Sequence, residues 1–359
     1  MRNRLWLVAA ALMLALAAYL MSRSDSAARP NRQKPRVEFP RYAKREEHDR
    51  NQKRRTLAPA PQNPAQPDSD VEVRRKRDPM ITALPPSKGK SVVVFEASAL
   101  RDSPLGQHWL NCMLSAYDLE KLNRFKDEFG FDPVQNTDRI AFSSEKLVLV
   151  GGDFGDANWD AFGEEKKVYG DKGVIIETQK GGPDYVGIWN DELMVVGDSR
   201  KEIEEALDRI EDRAPAATPR IAEYAQYGDV YGVLSADDLA MMLPESEREL
   251  ADRLRGAVRD VELHVDASED VAMTAEVVGP IEQDVKDLSK SLGAALSLAR
   301  LRAQTDTEKD LAELLDYASI SPNEGRFSID LALPLNVLIQ KMGPCKRSNG
   351  DELNDAGGP

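Results

Sequence analysis

Residues that carry chemistry are scarce in this chain. Its 359 residues include three histidines and two cysteines, and aromatic side chains make up 6%. His48, His108 and His264 are scattered, so they do not supply the three or four converging ligands of a zinc site. No G-x-S-x-G elbow and no zinc-protease helix is present. Lys88-Gly89-Lys90-Ser91 has the tail of a phosphate loop, but Leu84 stands where the earlier glycine belongs, and a strand follows where a helix should open. Ser143-Ser144-Glu145-Lys146 fits a serine–x–x–lysine string without its lysine–threonine–glycine partner. Asp153, Asp156 and Asp160 lack the alternate spacing and central glycine of a calcium loop. His264 between Glu262 and Asp266 makes at most a weak metal set. Cys112 with His108 four residues earlier shares a helix face but has no third member to orient the base. No catalytic residue, metal ligand or cofactor is therefore expected.

Long apolar runs are equally few. The one that stands out, Leu5 to Met21, covers 17 residues behind a short basic start at Arg2 and Arg4. As a helix it reaches about 26 Å, between a signal-peptide core and a full span of about 30 Å. Residues 1–21 are read as a single-pass inner-membrane anchor with the body in the periplasm. Two alternatives stay open. Ser26-Ala27-Ala28 offers a cleavage site, and Arg23, Arg29, Arg32, Lys34 and Arg36 behind the run favour holding the body in the cytoplasm.

Charge divides the chain near residue 90. Residues 1–90 hold 20 Lys+Arg against 9 Asp+Glu, and the remainder holds 28 against 53. Residues 22–90 are proline-rich and basic, with clusters at Lys53-Arg54-Arg55 and Arg74-Arg75-Lys76-Arg77, the composition of a disordered linker. Those clusters are solvated, or they touch anionic lipid or the acidic body. Nucleic acid is excluded as a partner, because the body is acidic and offers no basic aromatic surface.

Periodicity in the acidic part predicts an α+β fold. Ser91–Glu96, Arg139–Phe142, Lys146–Gly151, Lys172–Thr178 and Tyr185–Val196 read as strands, the last folding as a hairpin at Asn190-Asp191-Glu192. Helices run through Trp109–Leu119 and Leu122–Phe129, and Ser199 with Glu202 predicts a capping box on a third. A second strand–helices–paired-strands order starts at Val230. Val261–Asp266 in it alternates strictly, as a half-buried strand should. A long amphipathic helix marked by Val285, Leu288 and Leu292 comes next, then a helix at Lys309–Tyr317, two strands around Asn323 and a helix at Leu335–Met342. The expected architecture is two similar modules, residues 91–215 and 216–343, each an antiparallel sheet with helices on one face. Residues 344–359 are expected to be a disordered tail.

Asp102-Ser103-Pro104-Leu105-Gly106, Gly130-Phe131-Asp132-Pro133 leading into Asp138-Arg139-Ile140, and Asn190 through Asp198 resemble landmarks of exported, membrane-anchored bacterial proteins of unknown function with repeated α+β modules. The resemblance spans residues 91–343 and implies envelope location and fold style. It brings no catalytic residue.

Cys112 and Cys345 stand either as two thiols or as one disulfide, which export favours. The function expected is a membrane-tethered envelope protein with an acidic, non-catalytic binding or scaffolding body. Its partners are the membrane, through residues 5–21, and an envelope protein or wall polymer; no oligomeric state is indicated. The alternatives are an envelope hydrolase with a site between the modules, and a cytoplasmic membrane-bound regulator.

Overall fold

The computed structural model describes residues 77–342, apart from 87–88, 117–118, 164, 179–182, 216, 244, 246–247, 303–314 and 324. The anchor, most of the linker, the helix expected at Lys309–Tyr317 and the tail with Cys345 lie outside the described residues or largely so. The rest is α+β, built on one antiparallel sheet of 12 strands.

Packed chain begins earlier than the charge break suggests. Asp78 caps a short helix, α1 (Pro79–Ala83), by accepting from the Met80 and Ile81 amides, and Pro79 occupies the first helical turn where no N–H is needed. Met80, Ile81 and Ala83 are buried in the main core. The linker expected through residue 90 therefore gives way to ordered structure by Arg77.

The first half contributes β1 (Val92–Phe95), β2 (Thr137–Ser143), β3 (Val148–Gly152), β4 (Glu165–Tyr169), β5 (Gly173–Glu177), β6 (Tyr185–Trp189) and β7 (Leu193–Gly197). The second half contributes β8 (Val230–Ser235), β9 (Asp260–Asp266), β10 (Val271–Val278), β11 (Ala318–Asn323) and β12 (Arg326–Leu333). Their order across the sheet is β11-β12-β10-β9-β8-β1-β2-β3-β7-β6-β5-β4. The halves meet strand to strand, with Val92 opposite Val233 and Phe95 opposite Val230. Gly232 makes that approach possible, since a Cβ there would lie 2.2 Å from the Val92 carbonyl oxygen. β4 was not foreseen in Glu165-Lys166-Lys167-Val168-Tyr169, because an exposed edge strand carries no core-facing alternation.

Helices cover the sheet unevenly. α2 (Ala97–Asp102), α3 (Pro104–Ala116) and α4 (Leu119–Phe129) follow β1, and α5 (Arg200–Ile210) follows β7. α6 (Ala236–Met242), α7 (Arg248–Ala257), α8 (Glu282–Arg302) and α9 (Leu335–Met342) belong to the second half. On one face, Ile203, Ala206, Leu207 and Ile210 of α5 join α1 over Val94, Ala141, Leu149, Val195 and Ile175. The opposite face is covered along both halves. Phe125 and Phe129 of α4 pack with Phe131, Phe154 and Trp159 over Ile176 and Ile188. Further along, Val285 and Leu288 of α8 and Ala257 of α7 cover Val261, Leu263, Val277 and Phe327.

Helices on one face only, as expected, is thus corrected for the first half, where both faces are clothed. The reason is legible in the strands. Leu193-Met194-Val195-Val196 is apolar without alternation and needs cover on both sides, whereas Val261-Glu262-Leu263-His264 alternates and needs it on one.

Three buried polar contacts brace β1 and its neighbours, and the second and third of them cross between the halves. Arg139 of β2 forms a two-pronged ion pair with Asp78, and Tyr231 of β8 donates to Glu96 at 3.0 Å. Burial opposes the Arg139 charge, but Asp78, with Glu96 behind it, more than reverses this and raises the guanidinium pKa. Asp238 of α6 accepts from the Ser235 hydroxyl at 2.8 Å and the Ser91 amide at 3.0 Å, while its own amide donates to Ser235 at 3.1 Å. These bonds hold the Asp238 pKa below its ordinary value against the opposing effect of burial, and stitch β1 to α6. The capping box expected at Ser199 is not formed: Ser199 makes no side-chain cap bond. Glu202 instead sits near Glu145 and Asp198, and burial together with these charges raises its pKa.

Candidate binding face

On the α5 side, the second half of the sheet presents side chains and no helix among the described residues. Strand register sorts these side chains into rows. His264 lies opposite Thr274, which faces Asp330, which faces Ser319. In the next row Glu262 lies opposite Glu276, then Ser328, then Ser321. Arg326 and Asn323 end a third row. Alternation puts Glu262, His264 and Asp266 on this side because Val261, Leu263 and Val265 are claimed by the core beneath α8.

The rows are tied by hydrogen bonds. Thr274 donates to Asp330 at 3.0 Å, and Ser328 donates to the other Asp330 oxygen at 3.0 Å. Arg326 reaches Glu276 at 2.7 Å, with the Glu276 side chain 31% exposed. The segment around the one-turn helix Glu223–Ala225 forms the wall toward α5. Tyr224, 75% exposed, directs its hydroxyl to Glu262 at 3.4 Å. Tyr227 stacks on the His264 ring at 3.8 Å between centroids and 5° between planes.

Electrostatics mark this face. Partial burial, then the like charge of Glu276, raises the Glu262 pKa. Glu262 in turn raises that of the Tyr224 phenol. Burial lowers the His264 pKa, and its Nδ1 lies 3.2 Å from the Tyr227 carbonyl oxygen. Glu262 and Glu276 thus stand directly opposed as like charges, with Arg326 paired to Glu276.

His264 stands between Glu262 and Asp266 in the alternating strand. It lies on the outward side, as the alternation requires, but Tyr227 covers it and leaves it 8% exposed. No three His, Cys, Asp or Glu residues converge on a metal position among the described residues. Cys112 sits on α3 with its sulfur 3.7 Å from His108 Nε2 and is disulfide-bonded. Cys345 lies outside the described residues, and α9, which leads toward it, packs beside α3.

A shallow pocket of about 250 Å³ between α6 and α7 is lined by Leu243, Arg248, Ala251 and Arg255. Arg255 is already neutralised there by Asp252 at 3.0 Å and Asp237 at 3.6 Å.

The sequence carried a signal for the open face that went unused. Thr274 and Glu276 alternate with apolar neighbours, as do Ser328 and Asp330, in the same sense as Glu262 and His264. Tyr224 and Tyr227 carried no such signal, because a loop wall has no period.

No protein-family model matches the chain, and no curated protein matches it. A solved structure titled "Structure of crystal form I of TP0453" is similar over 73% of this chain and 95% of its own, at 11% identity and a TM-score of 0.36. A likeness at that level carries no conclusion about this chain.

Proposed function

We propose that the chain is a membrane-tethered envelope protein whose acidic body binds a partner without catalysing a reaction. Residues 5–21 would anchor it in the inner membrane, and the body would stand in the periplasm at the end of the basic linker. The observation that carries the reading is the half of one sheet face where Glu262, Glu276, Asp330 and Tyr224 are presented without a covering helix among the described residues. A half-buried array of acids and hydroxyls beside an exposed aromatic ring suits an envelope protein with a cationic surface.

We read the body as two related modules of residues 91–215 and 216–343. The support is topological: β1, β2, β3 and β7 follow one another across the sheet as β8, β9, β10 and β12 do. In the first module the β4–β5 hairpin stands where the second has α8. Among the described residues only the first module has helices on both faces, which would make the α5-side face of the second its working surface.

Affinity capture from envelope fractions tests the reading. Full-length protein and a Glu262→Gln, Asp330→Asn variant would be solubilised in mild detergent under identical conditions. A defined envelope protein or wall polymer should be retained by the first and lost from the second. Equal retention by both would overturn the reading.

A further inference from the structure

We infer that the open face has an internal ligand, the basic linker of the same chain, which covers it until an external partner displaces it. The inference rests on reading this face as the binding surface and concerns how access to it is controlled.

Four observations converge. Arg77, last of the Arg74-Arg75-Lys76-Arg77 cluster, ion-pairs with Asp212 just beyond α5, so the basic cluster engages the acidic body at its last member. The root of the linker stands on the correct side of the sheet. α1 packs on α5, and Asp78 is held by Arg139 of β2, on the side where Glu262 and Glu276 project. The distance can be spanned. The root lies between β2, where Arg139 holds Asp78, and the β4–β5 turn, whose Asp171 and Lys172 amides donate to Glu211 beside Asp212. That places it four to eight strand steps from β10, or about 19–38 Å at about 4.8 Å per step. A coil from Arg77 back to Lys53-Arg54-Arg55 has a typical reach of about 26 Å. Finally, the charges match. Residues 1–90 carry 20 Lys+Arg against 9 Asp+Glu, while the face opposes Glu262 to Glu276 and adds Asp266 and Asp330.

A tethered segment needs little intrinsic affinity, because its effective concentration beside the face is on the order of millimolar. One or two Lys or Arg side chains between Glu262 and Glu276 would relieve the like-charge opposition there. An external cationic partner would compete for the same carboxylates, and so would anionic lipid for the same basic clusters.

Zero-length carbodiimide coupling, which joins a lysine amine to a carboxylate in contact, tests this on the full chain in detergent. Mapping should find Lys53 joined to Glu262, Glu276, Asp266 or Asp330 within single molecules. The yield should fall at least severalfold at about 1 M salt, where screening acts within about 3 Å. It should fall likewise in a Glu262→Gln, Asp330→Asn variant. A variant with Lys53, Arg54, Arg55, Arg74, Arg75 and Lys76 all changed to Gln leaves the packed body untouched and should capture more external partner than wild type.

Linker lysines coupled indiscriminately over the body, or between two molecules, would overturn the inference. So would captured partner unchanged in the six-site variant. Face-dependent capture without these cross-links would reject the internal ligand and leave the binding reading standing. Cross-links on the face without face-dependent capture would support the internal ligand and reject the external one.

Discussion

Arg139 and Asp78 bring one full charge of each sign into the body, with side-chain exposures of 11% and 6%. The pair does not have to raise stability over an apolar alternative, but breaking it leaves a buried carboxylate without its cation. Arg139→Leu should therefore lower unfolding free energy by about 3–5 kcal/mol, read from denaturant titration. A loss below about 1 kcal/mol would show that the ion pair does not hold α1 in place.

His264 makes a second prediction, with a sign. Its native pKa lies below the ordinary value of about 6.5, so as pH falls through that value the unfolded chain takes up a proton that the native chain refuses. Stability should drop on acidification below about pH 6.5, by at most about 1.4 kcal/mol per pH unit from this group. Tyr227, Tyr231 and Glu276 are titratable neighbours; the Tyr227 carbonyl and, after it, Glu276 favour the charged form, and burial outweighs both. His264→Phe keeps the stack on Tyr227 and should flatten the profile between about pH 7 and 5; an unchanged slope would contradict the assignment.

At the scale of elements, the joint between β1 and β8 depends on close backbone approach. Gly232→Ala puts a Cβ against the Val92 carbonyl oxygen and Val93 Cα, neither of which is a flexible side-chain tip. The expected cost is about 1–3 kcal/mol, seen as a lowered unfolding midpoint. An unshifted midpoint would mean that the two strands part without consequence.

Strands and helices with an apolar period were largely legible in the sequence. β9 announced itself by Val261, Leu263 and Val265, and α5 by Ile203, Ala206, Leu207 and Ile210. What escaped had a physical reason in each case. α1 is too short to show a period, and it lies in a linker whose composition argues for disorder. β4 is an exposed edge. Ser199 had the spacing of a capping box, but spacing does not oblige a hydroxyl to turn toward the helix end. The polar face was spelled out strand by strand. It became visible as a surface only once register set Glu262 beside Glu276 and Thr274 beside Asp330.

For the whole molecule, the sheet runs unbroken through both halves, and α9 packs beside α3. Cys112 is disulfide-bonded, and we propose Cys345, the other cysteine of the chain, as its partner. Such a bridge would fasten the end of the second half to the first helices of the body. It would close a loop of about 230 residues and contribute at most about 5 kcal/mol. Mass mapping without reductant should find the Cys112–Cys345 peptide pair, and Cys112→Ser should lower the unfolding midpoint. Two alkylatable thiols in unreduced protein would contradict the pairing and weaken the assignment of the body to an oxidising compartment.

The central claim is that the α5-side face of the second half is where this protein meets its partner. Photoactivatable side chains placed at Ser321 and Ser328, with Lys201 on the outer side of α5 as control, would test it in intact cells. The account predicts a discrete product of higher mass from the two face positions and none from Lys201. Products from all three positions alike, or from Lys201 only, would contradict it.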